Sequence, residues 1–104
     1  MIDTDVILLV EDSEDDVYLV QSVFRKANVP NALHTVTSAE EAIDYLSGTA
    51  KYSDRERYPV PTVVLLDLKM PGKSGFDVLE WVAMQASLKK VYFIALTGLE
   101  AILT

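Results

Sequence analysis

Cysteine is absent from this 104-residue chain, which excludes disulfide frameworks, thiolate metal centres and cysteine nucleophiles. Glycine and proline number only four each, too few for a collagen-like or low-complexity chain. No apolar run approaches the ~18 residues of a membrane span, and the N-terminus lacks the basic region and apolar core of a signal peptide. A cytoplasmic protein with no membrane partner is therefore expected. Basic residues are scarce as well: nine Lys and Arg stand against sixteen Asp and Glu, a net charge of −7. A field of that sign repels phosphate backbones, so no nucleic-acid partner is expected.

What is present is a core. Half of the residues are apolar, and the length suits one domain, residues 1–104. Val6–Val10, Thr62–Leu66 and Val91–Leu96 are short, nearly uninterrupted apolar runs, the mark of strands buried on both faces of a parallel sheet; Leu33–Val36 is a fainter candidate. Between them the period changes. Val17, Val20, Phe24 and Ala27 recur at helical spacing, with Leu19 and Val23 widening the stripe. Ala39, Ala42, Ile43 and Leu46 repeat it, opened by the capping-box pair Ser38 and Glu41 and stopped at Gly48. Val78, Leu79, Val82 and Ala86 predict a third helix, opened by Ser74 with Asp77 three residues on. Strands alternating with helices give an α/β, open, doubly wound parallel sheet. The polar stretch from Thr49 to Pro61 reads as a solvated loop.

In such sheets ligands bind beyond the carboxyl ends of the strands. Glu11 and Asp12 follow the first strand, Asp67 the third and Thr97 the fourth, so the topology gathers distant residues at one edge. Glu11, Asp12, Glu14, Asp15 and Asp16 crowd five carboxylates into six positions. Glu14, Asp15 and Asp16 are accounted for by the positive end of a helix. Asp67, ending an apolar strand, gains nothing from a helix dipole. Two adjacent acids facing a third make a hard oxygen site suited to Mg²⁺. His34, the single histidine, falls on the weak strand far from these acids and reads as a satisfied or exposed side chain. Trp81 reads as packing along the third helix, and Lys69 and Lys73 as solvated loop charges.

Val6-Ile-Leu-Leu-Val-Glu-Asp12, Val64-Leu-Leu-Asp67-Leu-Lys-Met-Pro-Gly-Lys-Ser-Gly75 and Ala95-Leu-Thr97-Gly98 together resemble the receiver domain of two-component response regulators, the CheY-like, flavodoxin-like fold. The stretch Tyr52–Pro61 and the run Leu-Asp67-Leu-Lys resemble the single-domain receivers that accompany bacterial phytochrome-type sensor kinases. The resemblance implies a signalling domain rather than an enzyme, one that accepts a phosphoryl group from a sensor histidine kinase on Asp67. It further implies Mg²⁺ held by Glu11, Asp12, Asp67 and the Lys69 backbone carbonyl, with Thr97 and Gly98 at the phosphoryl group. A Mg²⁺-dependent phosphohydrolase of the haloacid dehalogenase type would need an acid two residues after the nucleophile, where Lys69 stands. The remaining alternative is a phosphorylation-independent interaction module with a vestigial site.

The chain departs from the family pattern after the fourth strand. Receivers continue to a fifth strand with an essential lysine, but no lysine follows Lys90. Lys89 and Lys90 precede the fourth strand, about 23 Å from its active end at ~3.3 Å per residue. Only five residues separate Leu96 from Ile102, fewer than the dozen a parallel crossover requires. The expectation is therefore a receiver fold truncated after the fourth strand, with no catalytic lysine. The strand Val91–Leu96 would then be an edge, with Leu99, Ile102 and Leu103 adding apolar surface beside it, and self-association through that edge is expected.

Overall fold

The computed structural model describes residues 1–70 and 75–96. It alternates β1 (Ile7–Val10), α1 (Glu14–Lys26), β2 (Leu33–Val36), α2 (Ala39–Ser47), β3 (Val63–Asp67), α3 (Gly75–Ala83) and β4 (Tyr92–Leu96). The four strands form one sheet in the order β2-β1-β3-β4, and every pairing is parallel. Each of the four candidate strands is a strand within one residue of its predicted ends. The expected third helix closes at Ala83 instead of Ala86, because Ala86–Leu88 tighten into a separate 3₁₀ turn that buries Leu88.

The central strand explains its own composition. Ile7 through Val10 lie between two neighbouring strands and are covered on both faces, with Leu8, Leu9 and Val10 fully enclosed. An alternating pattern would place polar groups in one of the two cores. Fully burying one such aliphatic side chain is worth about 1.5–3 kcal/mol. On one face Leu8, Val10, Val36, Val64 and Leu66 pack against Ala39, Ala42, Tyr45 and Leu46 of α2 and Val78 of α3, with Trp81 against the edge of this core. On the other, Leu9 and Leu96 pack with Val20, Val17 and Phe24 of α1. Helices on both faces make the sheet doubly wound. The α1 stripe is narrower than its periodicity implies: Leu19 and Val23 are exposed, as is Ala27, which is the C-cap.

The segment between α2 and β3 is the largest departure from expectation. It is a built element, not a solvated loop: Tyr52 and Pro61 are buried, and Tyr45, Tyr52 and Tyr58 meet ring to ring with centroids 4.9–5.9 Å apart. Arg55 fastens it to the end of α2, its guanidinium donating to the carbonyls of Tyr45 (2.8 Å), Leu46 (2.9 Å) and Tyr58 (3.1 Å). His34 is satisfied, as expected, through Nδ1 and the Tyr45 hydroxyl at 2.7 Å. That hydroxyl donates its one proton to the Pro59 carbonyl, which leaves Nδ1 as the donor to the tyrosine oxygen. Burial holds the imidazole pKa below its ordinary value.

Gly48 closes α2 with φ +70°, and a Cβ there would stand 2.8 Å from Arg55 Nε. Gly48→Ala is therefore expected to destabilise the fold by about 1–2 kcal/mol through the left-handed backbone alone, with more from the displaced guanidinium. A lowered urea midpoint at unchanged slope would show it.

Candidate functional site

The site begins where β1 stops. Glu11 is tied to β2 by its N–H, which donates to the Val36 carbonyl at 3.0 Å, and it is only 1% exposed. The chain then turns into α1 through Ser13, the N-cap, whose hydroxyl accepts from the Asp16 N–H. The Ser13 N–H in turn donates to Glu11 Oε2 at 3.0 Å. One residue thus opens the helix and orients the buried acid. Asp12, between them, projects into solvent.

Asp67 arrives from β3, one strand away. The strand runs one residue further than predicted, so Asp67 is its last member, paired with Leu96 of β4 and 7% exposed. Its Oδ1 accepts from the Lys69 N–H at 2.9 Å, while the Lys69 side chain is exposed as expected. Parallel packing of β1 against β3, with Val10 opposite Leu66, places the two strand ends side by side. One carboxylate oxygen from each of Glu11, Asp12 and Asp67 lies within 4.8 Å of the other two. The three acids named from the sequence are therefore one cluster. Thr97 and Gly98, expected at the phosphoryl group, lie outside the described residues, as do Lys73, the expected cap Ser74 and the tail from Leu99 to Thr104.

The electrostatics of this cluster are those of a cation site. Glu11 Oε1 is buried and meets no hydrogen-bond donor among the described residues. Burial, only partly offset by the Ser13 N–H and reinforced by the acids of Asp12 and Asp67, pushes the Glu11 pKa up to about 7. A buried carboxylate facing two others is unfavourable as an anion unless a positive charge compensates it. A hard divalent ion fits the donors present: all are oxygens, few come from the protein, and Asp12 lies open to water. Beside the acids, a cavity of about 350 Å³ opens between Asp12, Glu14, Tyr18 and Thr37, giving an incoming group room.

Sequence reasoning missed two participants. Ser13 was legible, since Ser13 with Asp16 three residues on repeats the capping pattern found at Ser38. Gly75, packed against the Asp67 carbonyl, lay inside the quoted stretch, but nothing in the sequence marks it as touching the acid.

Comparison with known proteins agrees with this geometry. The family model of the response regulator receiver domain matches residues 7–103. Response regulator Rcp1 of Synechocystis sp. is 36% identical over 92 residues, covering 88% of this chain and 60% of its own length, so the chain spans less than two thirds of that relative. The structure of the Mn²⁺-bound form of Rcp1 superposes with a TM-score of 0.77 at 34% identity, covering 88% of this chain and 63% of that one. Response regulator RPA3017, in red light signalling of R. palustris, gives 0.82 at 31% identity, over 88% of this chain and 64% of that one. The phosphorylated cyanobacterial phytochrome response regulator RcpA gives 0.79 at 29% identity, over 95% and 71%. Among the described residues no helix is long and apolar enough to cross a membrane.

Proposed function

Because the chain belongs to the response regulator receiver domain family, a family of signalling domains, we propose that it accepts a phosphoryl group on Asp67 from a sensor histidine kinase in the cytoplasm. The observation that carries this reading is the convergence of Glu11, Asp12 and Asp67 at the carboxyl ends of β1 and β3, with a buried oxygen of Glu11 that meets no donor among the described residues. The similarity to RcpA, a cyanobacterial phytochrome response regulator, and to RPA3017, in red light signalling, supports a kinase of the phytochrome type. Residues 1–104 act as one receiver domain in this reading.

Asp67 is the nucleophile. One of its carboxylate oxygens attacks the phosphorus of a phosphohistidine, the P–N bond breaks, and its electron pair returns to the imidazole nitrogen, leaving an acyl phosphate on the protein. The Lys69 N–H fixes the rotation of the Asp67 carboxylate through Oδ1, which leaves the other oxygen to attack in this reading. Glu11, Asp12, Asp67 and the Lys69 carbonyl would hold Mg²⁺, which when bound neutralises charge on the phosphoryl oxygens during transfer. The Mn²⁺-bound form of Rcp1, a similar protein, supports a divalent ion as part of this reading. Thr97 and Gly98 are proposed to receive the phosphoryl oxygens after transfer.

With acetyl phosphate as donor, the wild-type chain is expected to gain a phosphoryl group only when Mg²⁺ is present. Asp12→Ala should lose both the adduct and the perturbation of strand-end resonances on Mg²⁺ titration. An Mg²⁺ response unchanged in Asp12→Ala would remove Asp12 from the metal site.

The same reading leaves β4 as a surface for partners. Among the described residues it is an edge of the sheet, with Tyr92 and Ile94 exposed and no charge or proline in the strand. Strand pairing with a second copy is proposed for the 104-residue chain alone. Light scattering after size exclusion at micromolar concentration should give a dimer or larger; a clean monomer would refute it.

A further inference from the structure

The peptide unit that joins Asp67 to Leu68 is held on two sides by different elements. Its N–H, from Leu68, donates to the Leu96 carbonyl at the end of β4 at 2.9 Å. Its carbonyl, from Asp67, lies against the first residue of α3: a Cβ built on Gly75 would stand 2.6 Å from that oxygen. The same Cβ would come within 2.9 Å of Leu68 Cδ2 and 3.1 Å of Leu66 Cγ. A side-chain end can swing away from such a clash, but a backbone oxygen moves only if the peptide plane turns. Turning this plane changes the backbone torsions of Asp67 and Leu68, strains the Leu68–Leu96 bond and disturbs the 2.9 Å tie from the Lys69 N–H to Asp67 Oδ1.

We infer that Gly75 is a positioning residue for the phosphoacceptor: its missing side chain lets α3 seat directly on the Asp67 carbonyl, fixing the carboxylate against Glu11 and Asp12 and linking it to the end of β4. The inference rests on the reading of Asp67 as part of the metal and acceptor site. Groups that orient metal ligands without touching the ion typically govern affinity by 10–100-fold.

The test is Mg²⁺ affinity measured at a temperature where each variant is folded, together with hydrogen exchange at the Leu68 amide. Gly75→Ala is expected to weaken Mg²⁺ binding about tenfold or more and to speed Leu68 exchange. Gly48→Ala, destabilised at a site far from the acids, should keep the wild-type affinity. A double variant, Gly75→Ala with Leu68→Ala, removes the Leu68 clash but not the carbonyl clash, and should not regain affinity. Wild-type affinity in folded Gly75→Ala, or recovery of affinity in the double variant, would overturn the positioning role. Should Gly75→Ala not fold, the double variant carries the same comparison. Should neither fold, the wild-type Leu68 amide decides: slow exchange is expected, and exchange at the rate of an unprotected loop amide overturns the clamp. A wild type that shows no Mg²⁺ response sinks the acceptor-site reading itself, a result distinct from all of these.

Discussion

Asp67→Asn is expected to abolish phosphoryl incorporation from acetyl phosphate, while the wild-type chain gains a single group by intact mass, in poor yield for want of the lysine that would pair with a phosphoryl oxygen. The side chains are nearly the same size, so the buried end of β3 keeps its packing, and the amide can still accept from the Lys69 N–H, which now holds Oδ1 at 2.9 Å. What is lost is the anionic oxygen that attacks phosphorus. Neither Glu11 nor Asp12 can substitute. Glu11 is buried at 1% exposure with Oε2 committed to the Ser13 N–H, and Asp12 lies on the turn after β1 rather than at the end of β3. The adduct in the wild type should be labile to hydroxylamine, as an acyl phosphate is and a phosphoserine is not. An adduct that survives in Asp67→Asn would place the acceptor elsewhere.

The central strands were legible because they are buried on terms a sequence records. β1 is enclosed on both faces, so its four residues could all be apolar, and the strand ends carried the acids that could not be buried without purpose. The helix starts at Ser38 and the stop at Gly48 were legible for the same kind of reason: both are local, decided by a hydroxyl that caps Glu41 N–H and a backbone at φ +70°. The stretch between α2 and β3 was not legible. Its order depends on Arg55 reaching back nine and ten residues to carbonyls of α2 and on three tyrosines meeting across the turn. Charged and polar composition is uninformative when a guanidinium serves as a helix cap. At the site, the sequence named the three acids but not their inequality. That Glu11 is buried and Asp12 exposed follows from where β1 ends and α1 begins, a boundary that Ser13 sets. The contact of Gly75 with Asp67 was equally hidden, since a glycine at a helix start has many reasons to be there.

Glu11→Gln is expected to raise the stability of the metal-free fold at pH 8, and to remove most of the stabilisation that Mg²⁺ gives the wild type. Glu11 titrates in the fold at about 7, against an ordinary 4.5. The raised value means that the folded state binds its proton more tightly than the unfolded chain does. Between about pH 4.5 and 7 the folded protein therefore carries the extra proton, and by linkage its stability falls as pH rises through that window. Above pH 7 the full penalty applies, of the order of 3 kcal/mol for a shift of this size; below pH 4.5 it vanishes. Glutamine is neutral throughout and avoids it. Glu41, held below its ordinary pKa chiefly by the Thr37 N–H against the opposing effect of burial, and His34, lowered by burial, lose stability as pH falls. Both are present in wild type and variant, so the difference between the two unfolding curves isolates Glu11. Mg²⁺ supplies the missing positive charge, so binding must release the Glu11 proton, and apparent affinity should decline up to tenfold per pH unit below 7. Urea unfolding of both proteins from pH 5 to 8, with and without Mg²⁺, checks each part. A stability difference that does not change across this range would mean that burial does not hold Glu11 neutral, and that the buried Glu11 carboxylate is not what draws the cation in.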